Sequence, residues 1–138
     1  MAKSPAGYSG TPLAKKLGIQ AHHRVKTWRA PDDYLELLAP LPDRVEFSTR
    51  YRKAVDIWHL FTRSRAELEE KLRKAKSEIH PAGMIWVSWP KKASGVPSEV
   101  TEDTVREVAL PLGLVDVKVC AVDATWSGLK LVIRKALR

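Results

Sequence analysis

Short apolar runs, separated by polar and proline-containing segments, divide this chain into candidate strands. Asp56–Phe61 and Met84–Trp89 are mostly apolar and do not alternate, which is typical of strands covered on both faces. Mixed or alternating patterns predict further strands on either side of these two. The predicted strands are Arg24–Trp28, Val45–Ser48, Asp56–Phe61, Met84–Trp89, Leu114–Val122 and Leu129–Lys135.

Helical periodicity is clearest between the two apolar runs. Ser64 and Glu67 have the spacing of a capping box, in which each side chain binds the free backbone N–H of the other residue. Pro81-Ala82-Gly83 is expected to end this helix. Its apolar stripe comprises Leu68, Leu72, Ala75 and Ile79, and its exposed face carries the pairs Glu67–Lys71, Glu69–Arg73 and Glu70–Lys74.

Cap residues and patterning predict the other helices and, with them, the fold. Thr11-Pro12 opens a helix that ends at Gly18, and further helices span Pro31–Leu38 and Thr101–Leu110. Strand–helix–strand connections give parallel pairs, whereas the short turn Asp123–Gly128 makes the last two strands an antiparallel hairpin. We therefore predict a three-layer, Rossmann-like α/β fold whose mainly parallel sheet ends in this hairpin. The topology is similar to a minimal class I methyltransferase, a likeness that carries no activity with it.

Size and composition agree with one domain. The chain has 138 residues, of which 44% are hydrophobic and 29% charged, enough to bury a core. We predict a flexible segment at residues 1–10 and a single α/β domain at residues 11–138. Since Cys120 is the only cysteine and no apolar run approaches the roughly 20 residues of a membrane helix, we expect a cytoplasmic protein without a membrane partner.

The net charge of +8 favours anionic partners, nucleic acid among them. The connector before the third strand interleaves Tyr51 with cations, as single-strand binders do. A solvated surface without a partner is the alternative interpretation. The candidate nucleic-acid-binding residues are Arg50, Arg52, Lys53, Arg63 and Arg65.

Open parallel sheets bind ligands beyond the carboxyl ends of their strands, and the hairpin turn is expected at the same edge. The segments that meet there carry aromatic rings, cations and hydroxyls, which suit a small anionic or aromatic ligand. Polar loops that bind nothing are the alternative. The candidate ligand-binding residues are Trp89, Lys91, Lys92, Ser94, Asp123, Thr125 and Trp126.

The chain has no complete catalytic, metal or cofactor motif. The turn after the first strand, Trp28–Asp33, contains two carboxylates and no glycine, which argues against a standard dinucleotide or S-adenosylmethionine site. The histidines lack metal-ligand spacing, and His59 is expected to be a hydrogen-bonded core residue. Cys120 is expected to be an inert thiol, and Asp123 fits either a base or an aspartate that bonds its own turn. Catalytic residues and cofactors therefore stay unassigned.

Three segments, Ala6–Ile19, Met84–Pro97 and Val119–Lys130, resemble an uncharacterised bacterial family, a DUF3052-like domain of unknown function. The resemblance extends over nearly the whole chain and implies no known activity. The family pattern has a glycine near Asp32-Asp33, a position where this chain has Asp33.

The residues support three functions. The first is a non-catalytic or degenerate Rossmann-like domain that binds a small anionic or aromatic ligand at the carboxyl edge of its sheet. The alternatives are a basic protein associated with nucleic acid or the ribosome, and a small transferase with a non-standard site. The first requires the loop that carries Lys91 and the turn that carries Trp126 to lie at the same rim.

Overall fold

The computed structural model describes residues 10–138, and the predicted flexible segment lies outside the described residues except for Gly10. The helices and strands follow the predicted order. They are α1 (Leu13–Lys16), β1 (Arg24–Trp28), α2 (Tyr34–Leu38), β2 (Glu46–Ser48), β3 (Val55–Phe61), α3 (Arg65–Glu78), β4 (Ile79–Pro90), α4 (Glu102–Ala109), β5 (Leu114–Ala121) and β6 (Trp126–Ile133).

The six strands form one sheet in the order β2-β1-β3-β4-β6-β5. Strands β2, β1, β3 and β4 are parallel, and β6 runs antiparallel to both β4 and β5. This arrangement confirms the predicted α/β fold with a closing hairpin. It brings the ends of β1, β3 and β4 and the β5–β6 turn to one rim.

Helices cover both faces of the sheet. Residues of α3 and α4 pack with Trp58, Val87 and Leu129 into one core cluster. Residues of α1 and α2 pack with Ile57 and Trp86 into a second cluster on the opposite face. Because successive residues of a strand point to opposite faces, the apolar run of β3 contributes to both clusters. Among residues 10–138, no helix is long and apolar enough to cross a membrane.

The boundary between α3 and β4 differs from the prediction. The helix ends at Glu78, and Ile79, which was expected in its apolar stripe, is the first residue of β4 and pairs with Val55. The segment 81–83 therefore lies within β4 and does not stop the helix. At Gly83 a Cβ atom would lie 3.1 Å from the carbonyl oxygen of Asp56, so the strands approach closely there and leave little room for a side chain.

Two further boundaries were wrong. The residue that caps α1 is Pro12, not Thr11, and no side chain of the described residues caps the helix there. Strand β6 begins at Trp126, three positions before the predicted Leu129. The turn is shorter than expected because Oδ1 of Asp123 accepts hydrogen bonds of 2.8 Å from the backbone N–H groups of Thr125 and Trp126.

Two clusters of buried polar side chains connect the sheet to its helices. Nζ of Lys26 lies 2.7 Å from Oε1 of Glu78, and both side chains are only 5% exposed. The same carboxylate oxygen accepts a 2.7 Å hydrogen bond from Nε1 of Trp58. On the opposite face, His59 lies 2.7 Å from Tyr34 through Nδ1 and 2.7 Å from Ser88 through Nε2, which confirms the expected core histidine.

Candidate functional site

An open cleft of about 1080 Å³ lies at the carboxyl ends of β1 and β3. Its position follows from the parallel topology, since loops that leave neighbouring parallel strands diverge at this rim. The walls come from segments far apart in sequence. They are Arg29 after β1, Phe61–Ser64 at the end of β3, Glu67 of α3, Pro97–Glu99 before α4, and Trp126 at the start of β6.

Glu67 joins three of these segments. One carboxylate oxygen accepts a 2.6 Å hydrogen bond from the hydroxyl of Thr62. The other accepts from Nε1 of Trp28 at 3.1 Å and from Nε of Arg29 at 2.8 Å. Partial burial raises the pKa of the Glu67 carboxyl, but these hydrogen bonds and the charge of Arg29 outweigh it, so the net pKa is below its ordinary value. Glu67 is therefore a fixed anion at the floor of the cleft.

The predicted capping box at the start of α3 is only half formed. Oγ of Ser64 accepts from the backbone N–H of Glu67 at 3.2 Å, as expected. The Glu67 carboxylate binds Thr62, Trp28 and Arg29 and does not return to Ser64. The carboxylate thus accepts hydrogen bonds from three side chains at the strand ends and none from the backbone N–H of Ser64, which a complete capping box would require.

The predicted ion pairs along α3 are also replaced. Nζ of Lys71 lies 3.7 Å from the centre of the Trp28 ring, so a cation–π contact takes the place of the expected pair with Glu67. Glu69 lies 4.0 Å from Arg65 and not beside Arg73. Within the part of the chain that the structure describes, none of the three predicted pairs forms an ion pair.

The turn after β1 has an unusual backbone. Arg29 has φ of 56°, in the left-handed region that favours glycine. Its side chain is 65% exposed, and only Nε is bound to Glu67. The guanidinium carbon lies 5.7 Å from the centre of the Trp28 ring, and the terminal nitrogens donate no hydrogen bond to residues 10–138.

Arg63 and Trp126 complete the binding surface. Among the described residues, no side chain pairs with the guanidinium of Arg63, which is exposed and lines the cleft. The ring of Trp126 is half-buried and makes an edge contact with Phe61, with ring centres 5.1 Å apart. An unpaired cation and a positioned aromatic ring thus share one cleft.

The structure brings both predicted ligand-binding turns to the same rim but places most of their residues outside the cleft. The backbone N–H of Lys91 donates to the carbonyl of Thr125 at 2.7 Å, so the two turns are in contact. Trp89 packs into the core on the α4 face, and Ser94 donates to the carbonyl of Lys91 at 2.6 Å. Lys92 is exposed, and Asp123 bonds its own turn. Of the predicted set, only Trp126 lines the cleft.

The candidate nucleic-acid residues fall into two separate segments. Arg50, Arg52 and Lys53 are exposed on the β2–β3 connector. Tyr51 does not stand free between them: its ring packs 4.1 Å under the guanidinium of Arg24, and its hydroxyl donates to Glu46 at 3.2 Å.

The other two candidates flank the start of α3. Arg63 lines the cleft. Arg65 is paired with Glu107 at 2.8 Å, so much of its charge is neutralised.

Sequence reasoning missed Glu67 as a site residue and missed the wall formed by residues 97–99. Oε1 of Glu99 accepts a 3.0 Å hydrogen bond from the backbone N–H of Arg65, and the N–H of Glu99 donates to the carbonyl of Arg63 at 2.9 Å. A carboxylate therefore stands at the positive end of α3. The sequence carries no local signal for this contact, because 34 residues separate the partners.

The remaining reactive side chains lie away from the cleft. Burial lowers the pKa of His59 to about 3, and its ring is fully buried. Burial raises the pKa of the Cys120 thiol above its ordinary value, although Lys16 and Lys118 oppose this shift. In the described part of the chain, no three His, Cys, Asp or Glu side chains come together in a group able to hold a metal ion.

A family model described as "Protein of unknown function (DUF3052)" matches residues 14–135. The chain belongs to the DUF3052 family. This confirms the resemblance inferred from the sequence, and the DUF3052 chain matches no curated protein.

Solved structures show what the fold is like. The DUF3052 chain is similar to an S-adenosylmethionine-dependent methyltransferase from Aquifex aeolicus, with a TM-score of 0.63 and 15% identity over 88% of this chain and 87% of that one. It is similar to a type 11 methyltransferase, so described, from Sulfolobus solfataricus, with a TM-score of 0.61 and 12% identity over 96% and 95% of the two chains. A possible exported protein from Bordetella parapertussis gives a TM-score of 0.63 and 9% identity, and here the match covers 88% of this chain but 66% of that one. With sequence identities this low, the structural similarity shows that this chain has a methyltransferase-like fold and shows nothing about its activity.

Proposed function

We propose that this protein is a non-catalytic binding domain of the methyltransferase-like fold, which holds a small ligand with an aromatic ring and an anionic group in the strand-end cleft. The observation that carries the proposal is the guanidinium of Arg63, which no side chain of residues 10–138 pairs with, in the same cleft as the Trp126 ring. A ring stacks or packs on tryptophan, and a guanidinium binds a carboxylate or phosphate through two parallel hydrogen bonds.

The character of the cleft favours binding over catalysis. A general base takes up a proton, but the three hydrogen bonds to Glu67 and the charge of Arg29 lower the pKa of its carboxyl. Asp123, the other candidate base, accepts two backbone hydrogen bonds within its turn. The turn after β1, Trp28–Asp33, also lacks the glycines that dinucleotide-binding turns have.

A thermal-shift screen tests the proposal. The wild-type protein would be heated with saturating S-adenosylmethionine, S-adenosylhomocysteine, AMP, adenosine and phenylacetate. A ligand of the proposed class is expected to raise Tm by several degrees, since saturation adds a few kcal/mol to the free energy of unfolding.

Matched variants locate the effect. Trp126→Ala is expected to abolish the shift and Arg63→Gln to reduce it for the anionic ligands, whereas Lys92→Ala, an exposed cation at the same rim but outside the cleft, is expected to retain it. A shift that neither cleft variant lowers would contradict the proposal. Transfer of a labelled methyl group from S-adenosylmethionine to any acceptor would favour the transferase alternative.

The second candidate function is nucleic-acid binding through the β2–β3 connector. It is favoured by Arg50, Arg52 and Lys53, which are exposed and have no side-chain ion pair among residues 10–138. RNA affinity would then fall steeply with added salt and would be lost when all three are changed to alanine.

The single cysteine fits a reducing compartment, and we propose a cytoplasmic location on that basis.

A further inference from the structure

We propose that Arg29 and Arg63 form a two-arginine site for a phosphate monoester, so that the cleft ligand is an aromatic phosphate of the nucleoside monophosphate type. This inference rests on the proposed binding function and adds the chemical class of the anionic group.

Arg29 is positioned before any ligand arrives. Its Nε donates to Glu67 at 2.8 Å, and Glu67 is itself held by Thr62 and Trp28. This hydrogen bond and the contact with the Trp28 ring, 5.7 Å away, restrain the guanidinium, while its terminal nitrogens donate no hydrogen bond to residues 10–138. A planar group that is already oriented loses little side-chain entropy when it binds an anion.

Arg63 is fixed through its backbone and free at its side chain. The preceding residue, Thr62, donates its N–H to the carbonyl of Ser88 at 3.0 Å, and the carbonyl of Arg63 accepts from Glu99 at 2.9 Å. The guanidinium has no partner within residues 10–138. A cation on a fixed backbone segment at the mouth of a cleft is suited to meet the anionic end of a ligand.

The hydrogen-bond donors of the pair favour phosphate over carboxylate. The two guanidinium groups offer several N–H donors, whereas one carboxylate has only two oxygens to accept them. A phosphate monoester carries about −1.5 to −2 charges near pH 7 and three terminal oxygens, so it can satisfy both arginines at once.

Two carboxylates line the same cleft and bear on this assignment. Glu67 is balanced by Arg29, with which it forms an ion pair at 2.8 Å. Among residues 10–138, the side chain of Glu99 binds only the backbone N–H of Arg65, and no cationic side chain pairs with it. Glu99 should therefore repel a dianion and weaken its binding, while having little effect on a neutral nucleoside.

Calorimetric titration of the full chain with AMP and with adenosine tests the site. We expect AMP to bind at least about tenfold more tightly than adenosine, with an affinity that falls as NaCl is added, because charge-assisted hydrogen bonds of this kind are worth that factor or more. Arg63→Gln should weaken AMP binding by about tenfold and leave adenosine binding unchanged. Arg52→Gln, which removes an exposed arginine of the β2–β3 connector, should alter neither.

Glu99→Gln supplies an independent readout with the opposite sign. This variant should tighten AMP binding several-fold, because the negative charge that repels the phosphate is removed. Adenosine is neutral, so its affinity should not change. Equal affinities for AMP and adenosine would overturn the two-arginine site while leaving the proposed binding function intact. Failure of both probes to bind would also overturn it, and the thermal-shift screen would then decide the broader function separately.

Discussion

The carboxylate of Glu67 accepts a 2.6 Å hydrogen bond from the hydroxyl of Thr62, and this contact joins the first turn of α3 to the end of β3. Trp28 and Arg29 donate to the same carboxylate from the end of β1. Neighbouring parallel strands and the helix that follows them are therefore tied together directly under the cleft. A rim held in this way keeps the cleft open and its side chains positioned.

Replacement of Glu67 should destabilise the fold and disorder the rim. Glu67→Ala leaves three donors without their acceptor, and we expect it to lower the free energy of unfolding by about 1–3 kcal/mol. Glu67→Gln should cost less, because an amide oxygen still accepts from one side. Urea unfolding measures both, with Glu70→Ala on the exposed face of α3 as the control. Equal stabilities for Glu67→Ala and Glu70→Ala would show that the contacts contribute nothing.

The buried His59 should make stability depend on pH. Its pKa is lowered to about 3 in the folded protein, whereas the unfolded chain takes up the proton near pH 6.5. Between these values the unfolded state binds one more proton than the native state, so acid destabilises the fold by about 1.4 kcal/mol per pH unit from this group.

The measurement is urea unfolding at several pH values from 7 down to 4. His59→Gln removes the titrating group and should flatten the slope by the contribution of one proton. His22→Asn, which removes an exposed histidine and tolerates the left-handed backbone there, should leave the slope unchanged. An unaltered slope in His59→Gln would refute the assignment.

The ion pair between Lys26 and Glu78 should show strong coupling. Lys26→Met leaves a buried carboxylate without its cation and should cost about 3–5 kcal/mol. In the double variant Lys26→Met/Glu78→Gln the unpaired charge is gone, yet Trp58 keeps an acceptor. We therefore expect the double variant to be more stable than Lys26→Met. A double-mutant cycle with additive effects would contradict this account.

Local patterns were sufficient to predict the architecture. The two uninterrupted apolar runs became the central strands β3 and β4, and the short segment around Asp123 became the turn of an antiparallel hairpin. A parallel strand that is buried on both faces has an uninterrupted apolar run, whichever residues pack against it. The shared rim of the Lys91 loop and the Trp126 turn followed from chain direction alone.

The composition of the cleft could not be predicted in the same way. Ser64 and Glu67 have the spacing of a capping box, but the choice of partner for Glu67 is decided by Trp28 and Arg29, which lie 39 and 38 residues away. Trp89 was assigned to the ligand edge because it ends a strand, yet strand alternation places it in the core cluster on the face that α3 and α4 cover. Contacts between residues this far apart in the chain depend on tertiary packing, so no local sequence pattern predicts them.

Chemical-shift mapping of the backbone amides tests the central claim, that the strand-end cleft is the ligand site, most directly. AMP and S-adenosylmethionine would be titrated separately into uniformly labelled protein. We predict perturbations concentrated at Arg29, residues 62–64, residues 98–99 and the indole N–H of Trp126. Perturbations centred on residues 50–53, or none at millimolar concentrations of either probe, would contradict the account.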